Sequence, residues 1–251
     1  MPYPHVYPSP PRLGTMTTLP ATRQGKENED LERAWFFYLA EIALRRIMND
    51  ALSSRYRPDS WYQAGNNNST SYTHYVSEYK QKLLEWYHVL PTSVSFTLDT
   101  THSLPITDIL SGILHSHYID ILDVVYFPAI RAVACSPMHE LTPDILRIAR
   151  EALRNAVDRI TISRPGYWHR HQGTWLMLRT CSRSALCLLG VALRAKYEER
   201  SRGVFVELLP EEEVWRTAVV RVIGLIEYWV EESGDLGDLV VRLKGLYDLV
   251  Q

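Results

Sequence analysis

The sequence predicts an all-α fold, an irregular multi-helix bundle of about seven helices. Three observations predict it. Apolar residues recur three and four positions apart through most of the chain, the period of a helix face. Prolines and polar turn clusters cut the chain into pieces of helical length. An alternating strand pattern is missing apart from two short runs, Ser93–Leu98 and Val204–Leu209.

Residues 1 to 26 read as a disordered proline-rich tail, because the prolines at 2, 4, 8, 10, 11 and 20 remove backbone donors. Residues 27 to 251 read as one all-helical domain, long enough to bury a substantial core. The first helix is expected from about Asp30 to Leu52, with Trp35, Tyr38, Leu39 and Ile42 on its apolar stripe and Glu41–Arg45 as an exposed i,i+4 pair. Glu41 and Asp50 read as surface or capping groups. A loop follows over 56 to 70, marked by Pro58, Gly65 and Asn66-Asn67-Asn68. The second helix spans about Thr70 to Val89 and shows Tyr75, Tyr79, Leu83 and Trp86 on one face. The third runs from about Thr107 to Val125 with Ile109, Ile113, Leu114, His117 and Ile121 inward, and Pro128 is expected to break or kink it.

The fourth helix has the clearest signals. Thr142 is a natural N-cap, Pro143 suits the first helical position and Asp144 suits the dipole. Its arginines, Arg147, Arg150, Arg154 and Arg159, read as a solvated face. After Gly173 a strongly apolar helix runs to about Lys196 and should be central. Pro210 and three glutamates open another helix to about Glu232, and the turn Ser233-Gly234-Asp235 precedes the last one, to Val250.

Bulk properties narrow the function. The net charge of -2 lacks the basic excess that phosphate binding needs, so direct DNA binding is not expected. The longest apolar run, Ala185 to Leu193, is about half a membrane span, and the N-terminus has no signal pattern. A soluble intracellular protein is expected, in nucleus or cytoplasm. Cys135, Cys181 and Cys187 form no disulfide or metal pattern, and Cys181 and Cys187 read as small buried hydrophobes. His115 and His117 fall on different sides of a helix, and neither HExxH, paired CxxC, GxSxG nor a glycine-rich phosphate loop is present. No metal and no cofactor are expected.

The densest polar-aromatic stretch is 165 to 175, Pro-Gly-Tyr-Trp-His-Arg-His-Gln-Gly-Thr-Trp. It reads either as rings and imidazoles packed at a helix entrance or as the lining of a pocket with a few hydrogen-bonding groups. Trp168, His169, His171 and Trp175 are the candidate ligand-binding residues, and no catalytic residue is assigned.

The same stretch carries a resemblance. His169-Arg170-His171, Gly173-Thr174-Trp175 and Leu176-Met177-Leu178-Arg179 resemble the HRHxGTWxxLR segment of the regulatory domain of fungal zinc-cluster transcription factors. In the same order, Trp35 to Arg46 resembles that family's YLAEIALRR helix, and Leu83-Leu84-Glu85-Trp86-Tyr87 with Leu90-Pro91 resembles its LxxWxxxLP segment. Tyr126-Phe127-Pro128 resembles a degenerate RPFLY segment. The likeness covers roughly residues 30 to 200. It implies an all-helical, nuclear domain tied to nutrient use or secondary metabolism. The chain lacks the six clustered cysteines, a basic linker and a dimerising coiled coil, so zinc and DNA recognition do not carry over. Two functions follow as expectations. One is a transcription-regulator-like module acting through a small hydrophobic metabolite or a protein partner. The other is a recruited biosynthetic enzyme, of cofactor-free cyclase or pericyclase type, holding a terpene or polyketide intermediate in an aromatic-lined pocket. A truncated remnant without activity is the third possibility.

Overall fold

The computed structural model describes residues 21–55, 69–98, 108–171 and 173–251. The proline-rich stretch up to residue 20 and the asparagine loop over 56–68 lie outside them. Among the described residues there are eight α-helices and no strand: α1 (Ala21–Arg55), α2 (Ser69–His88), α3 (Ile109–Cys135), α4 (Pro143–Ile162), α5 (Thr174–Tyr197), α6 (Arg202–Leu208), α7 (Glu212–Trp229) and α8 (Gly234–Val250). The all-α class stands, with one helix more than the pattern suggested. The extra one is α6, which covers the strand-like run beginning at Val204. Phe205 and Leu208 are its buried residues, so a three-residue spacing and not alternation decides its structure. Ser93–Leu98 is a short 3-10 turn at Thr92–Val94 followed by irregular chain.

Helices α1 to α3 form one end of the molecule, and α4 and α5 connect it to α6, α7 and α8. α1 begins at Ala21, earlier than the boundary at 26, directly after Pro20. Its buried stripe is Ala40, Leu44, Ile47 and Ala51, whereas Tyr38 is exposed. The four buried positions are the narrower side chains, which lets α1 approach α2 and α3. On α2 the expected face is buried: Tyr75, Tyr79, Leu83 and Trp86. The Trp86 indole donates to the Ala40 carbonyl at 3.1 Å, so its one polar atom is satisfied where the ring is fully covered.

α3 continues past Pro128 to Cys135. A proline there removes one donor and pushes away the carbonyl one turn earlier. The hydroxyl of Tyr72 repairs the neighbouring rung. It donates to the Val125 carbonyl at 3.1 Å and accepts from the Ala129 amide at 3.2 Å. The expected break is therefore bridged by a side chain from α2.

α4 keeps the capping geometry that the sequence announces: Thr142 Oγ1 accepts from the Ile145 amide at 3.3 Å. α5 is the central helix. By length and composition it is apolar enough to cross a membrane, but here its Leu178, Cys181, Ala185, Leu188 and Leu189 are buried in the core. Buried hydroxyls on α5 bond back to the preceding turn, Ser182 to Leu178 at 2.6 Å and Thr180 to Met177 at 3.1 Å, so they cost little inside an apolar helix. Cys181 is buried, Cys187 is half-buried and Cys135 is exposed, all as free thiols.

Candidate functional site

The turn between α4 and α5 is built by mutual bonds of the polar-aromatic stretch. Tyr167 is buried, its hydroxyl donating to the Ile160 carbonyl at 2.7 Å, and its own carbonyl accepts from the Trp229 indole at 2.8 Å. Trp168 turns outward and meets Tyr228 edge-on, with centroids 4.9 Å apart. Arg170 pairs with Glu232. His171 folds back: its Nδ1 accepts from the Gly173 amide at 3.1 Å, and its amide donates to Thr174 Oγ1 at 2.8 Å. Gly166 makes room for that ring. A Cβ at Gly166 would stand 2.8 Å from His171 Nε2. The stretch thus does the structural work of one reading and, in part, the lining work of the other.

Beside this turn lies a cleft of about 670 Å³ between the N-terminal half of α3, the C-terminal end of α4 and the start of α5. That size suits a small organic molecule. His169 and His171 line it, whereas Trp168 and Trp175 are not among its lining residues. The tryptophans instead present half-exposed rings on the outer surface.

The cleft's apolar wall comes from a place the periodicity misassigned. Ile109, Ile113 and Leu176 face the cleft and stay exposed, Ile109 at 77% and Leu176 at 55%. Helical spacing puts Ile109 and Ile113 on the face of a core-packed stripe. Which neighbour covers that face is a tertiary fact, and near the start of α3 none of the described helices does.

The polar end was also only partly legible. Arg159 belongs to the arginine series of α4, yet it is buried, not solvated. Its guanidinium donates to Ser116 Oγ and to the Ser116 carbonyl, both at 2.7 Å, and to Asp120 at 2.5 Å. Asp123 lies 3.8 Å from its Nε and is held by Arg183 at 2.8 Å and Asn155 at 2.5 Å. Two carboxylates thus face two guanidiniums, which is what allows charges to sit at the cleft floor. Burial pushes the Asp120 carboxyl upward, against the opposing charge of Arg159 and with that of Asp123.

One turn earlier on α3, His117 Nδ1 lies 2.8 Å from a carboxylate oxygen of Glu41. Glu41 is buried rather than a surface group, and it also accepts from Arg45 at 2.9 Å, the i,i+4 pair the sequence suggested. Burial alone would raise this carboxyl, but the hydrogen bonds and charges of His117 and Arg45 outweigh it and hold it below the ordinary glutamate value. An ionised Glu41 can only accept, so His117 Nδ1 is the donor of this bond and Nε2 is the nitrogen turned to other partners, on a residue that lines the cleft. The sequence signal for this pair was faint: Glu41 and His117 are 76 residues apart and share no motif. His115 points elsewhere and stacks on Phe96, with centroids 4.5 Å apart.

A second groove, of about 300 Å³, lies between α5, α6 and α7 and is lined by Lys196, Arg202, Arg216 and Trp215. Among the described residues no three His, Cys, Asp or Glu side chains gather as a metal site would require. The fold and cleft together define an all-α domain with one mainly apolar recess ending in buried charge. Compared with family models, curated proteins and solved structures, the chain gives no match.

Proposed function

We propose that the chain is a regulator-like helical module that binds a small, largely apolar metabolite in the cleft of α3, α4 and α5. In this reading it acts in a fungal metabolic or secondary-metabolite pathway, in nucleus or cytoplasm, and the helical domain itself makes no direct contact with DNA. The carrying observation is the cleft's composition: exposed Ile109, Ile113 and Leu176 at the wall, and Ser116, His117 and Asp120 at the polar end. An apolar body would be desolvated against the isoleucines while one oxygen-bearing group meets the polar end. The ordered likeness of three segments to the zinc-cluster regulators supports the regulatory role. The test has two arms. An apolar fluorescent dye and a panel of terpenoid and polyketide metabolites should bind saturably, with the dye displaced by the tighter metabolites. Deletion of the gene should alter transcripts of a linked pathway. Failure of every metabolite and of the dye to bind would sink the ligand reading; unchanged transcripts would sink the regulatory one.

The second reading is the recruited, cofactor-free enzyme. What favours it is the Glu41–His117 hydrogen bond, which orients an imidazole in a cleft otherwise suited to an apolar guest.

A further inference from the structure

We infer that the cleft selects an uncharged apolar molecule bearing a hydroxyl group, an alcohol or a phenol, with Asp120 as the residue that accepts the hydroxyl hydrogen. This rests on the reading that the cleft binds a small apolar molecule, and it names the ligand class for that same site.

The charges at the cleft floor are not equally accessible. The Arg159 side chain is only 2% exposed. Its guanidinium is spent inward, on Ser116 Oγ, the Ser116 carbonyl and Asp120 Oδ1, with Asp123 3.8 Å from Nε. A guanidinium keeps its charge at any working pH, and Asp120 is its carboxylate partner at 2.5 Å. That ion pair uses Oδ1. The Asp120 side chain keeps 16% exposure, and its Oδ2 has no hydrogen-bond partner among the described residues. The floor as a whole is balanced, but the charge a ligand meets there is negative.

A negative acceptor inside an apolar recess sorts its guests. It repels a carboxylate or a phosphate. Against a hydrocarbon it loses water and gains nothing in return. From a hydroxyl it receives a charge-assisted hydrogen bond that replaces the water. Ser116 supplies the complement. It stands one turn before Asp120 on the same face of α3, and both line the cleft. Its Oγ already accepts from Arg159, so its own hydrogen is left to donate. An acceptor from Asp120 and a donor from Ser116 match the two halves of a hydroxyl group, which gives one hydrogen and takes another. Ile109, Ile113 and Leu176 then cover the apolar body.

The probes are three naphthalenes of similar shape, 2-naphthol, 2-methylnaphthalene and 2-naphthoate, each titrated against the protein-bound apolar dye. Methyl and hydroxyl are close in size, and the methyl compound is the more hydrophobic. An unselective apolar wall would therefore bind 2-methylnaphthalene the tighter of the two. Asp120 should reverse that order, with 2-naphthol tighter by on the order of tenfold or more and 2-naphthoate the weakest. Asp120→Asn keeps the shape and removes the charge. It should shrink the preference for 2-naphthol severalfold and tighten 2-naphthoate by on the order of tenfold, because the repelling carboxylate is gone and Arg159 loses a counter-charge. Ser116→Ala leaves the carboxylate in place, so it should weaken 2-naphthol severalfold while 2-naphthoate stays excluded. If Asp120→Asn fails to fold for want of Arg159's partner, the order of the three probes in the wild type decides alone. 2-Methylnaphthalene binding as tightly as 2-naphthol, or 2-naphthoate doing so, overturns the inference and leaves the binding reading intact. Equal exclusion of 2-naphthoate by folded Asp120→Asn overturns the assignment to Asp120. A bound dye that none of the three displaces overturns the inference as well, whereas a dye that does not bind at all sinks the binding reading beneath it.

Discussion

Single atoms decide the two residue-scale features that matter most for stability. The Tyr72 hydroxyl bridges the rung next to Pro128, so Tyr72→Phe leaves the Ala129 amide and the Val125 carbonyl buried without it. The expected cost is about 1–3 kcal/mol, read as a lower midpoint in urea with an unchanged slope. His115 works in the other direction. Burial, and then the charge of Arg159, push its imidazole down to about 4 from an ordinary 6.5, and its Nδ1 has no hydrogen-bond partner among the described residues. A lowered histidine is neutral in the fold while the unfolded chain still takes up a proton. Stability contributed by the neutral ring is therefore present above pH 6.5 and drains away as pH falls toward 4, at no more than about 1.4 kcal/mol per pH unit. His115→Phe keeps the stack on Phe96, and its unfolding free energy should be flatter between pH 6.5 and pH 4 than that of the wild type. An equal acid slope in the two proteins would assign the loss to other groups.

At the scale of elements, local signals and tertiary ones separate cleanly. The start of α4 was legible because a cap is a local device: Thr142, Pro143 and Asp144 lie within one turn of each other. Thr142→Ala should cost about 1 kcal/mol, seen as a shift in thermal midpoint, since it frees the Ile145 amide. The continuity of α3 was not legible, because its repair comes from Tyr72, far away in sequence on α2. The middle of α1 shows the same division. Helical spacing announces a stripe, but Tyr38 falls outside it and Ala40 inside, and the choice depends on how closely α2 and α3 approach. Within the polar-aromatic stretch, the sequence found the segment but not the split within it. His169 and His171 turn to the cleft, while Trp168 goes to Tyr228, a partner the chain supplies sixty residues later.

For the molecule as a whole, the deciding question is whether its apolar recess is a binding site or an incidental seam between helices. Composition could not answer it, since Ile109 and Ile113 look the same in a packed stripe and in an open wall. A substitution inside the recess can. Ile113 is 36% exposed on the wall, so Ile113→Trp directs a bicyclic ring toward the cleft. Its effect on the stability of the free protein should stay within about 1 kcal/mol. Its effect on binding should be large, because the added ring occupies volume that the ligand needs. A metabolite present at a hundred times its Kd stabilises the wild type by about 2.7 kcal/mol. In Ile113→Trp that gain should fall below a third, measured as the ligand-induced shift in thermal midpoint. A shift of full size in the variant would move the ligand to another place, and the groove of Lys196, Arg202 and Arg216 would then be the next to block. The two grooves differ in chemistry as well as position. The first offers isoleucines and a neutralised floor, the second Lys196, Arg202 and the Arg216–Glu212 pair beside Trp215, so an uncharged metabolite and an anionic one should sort between them.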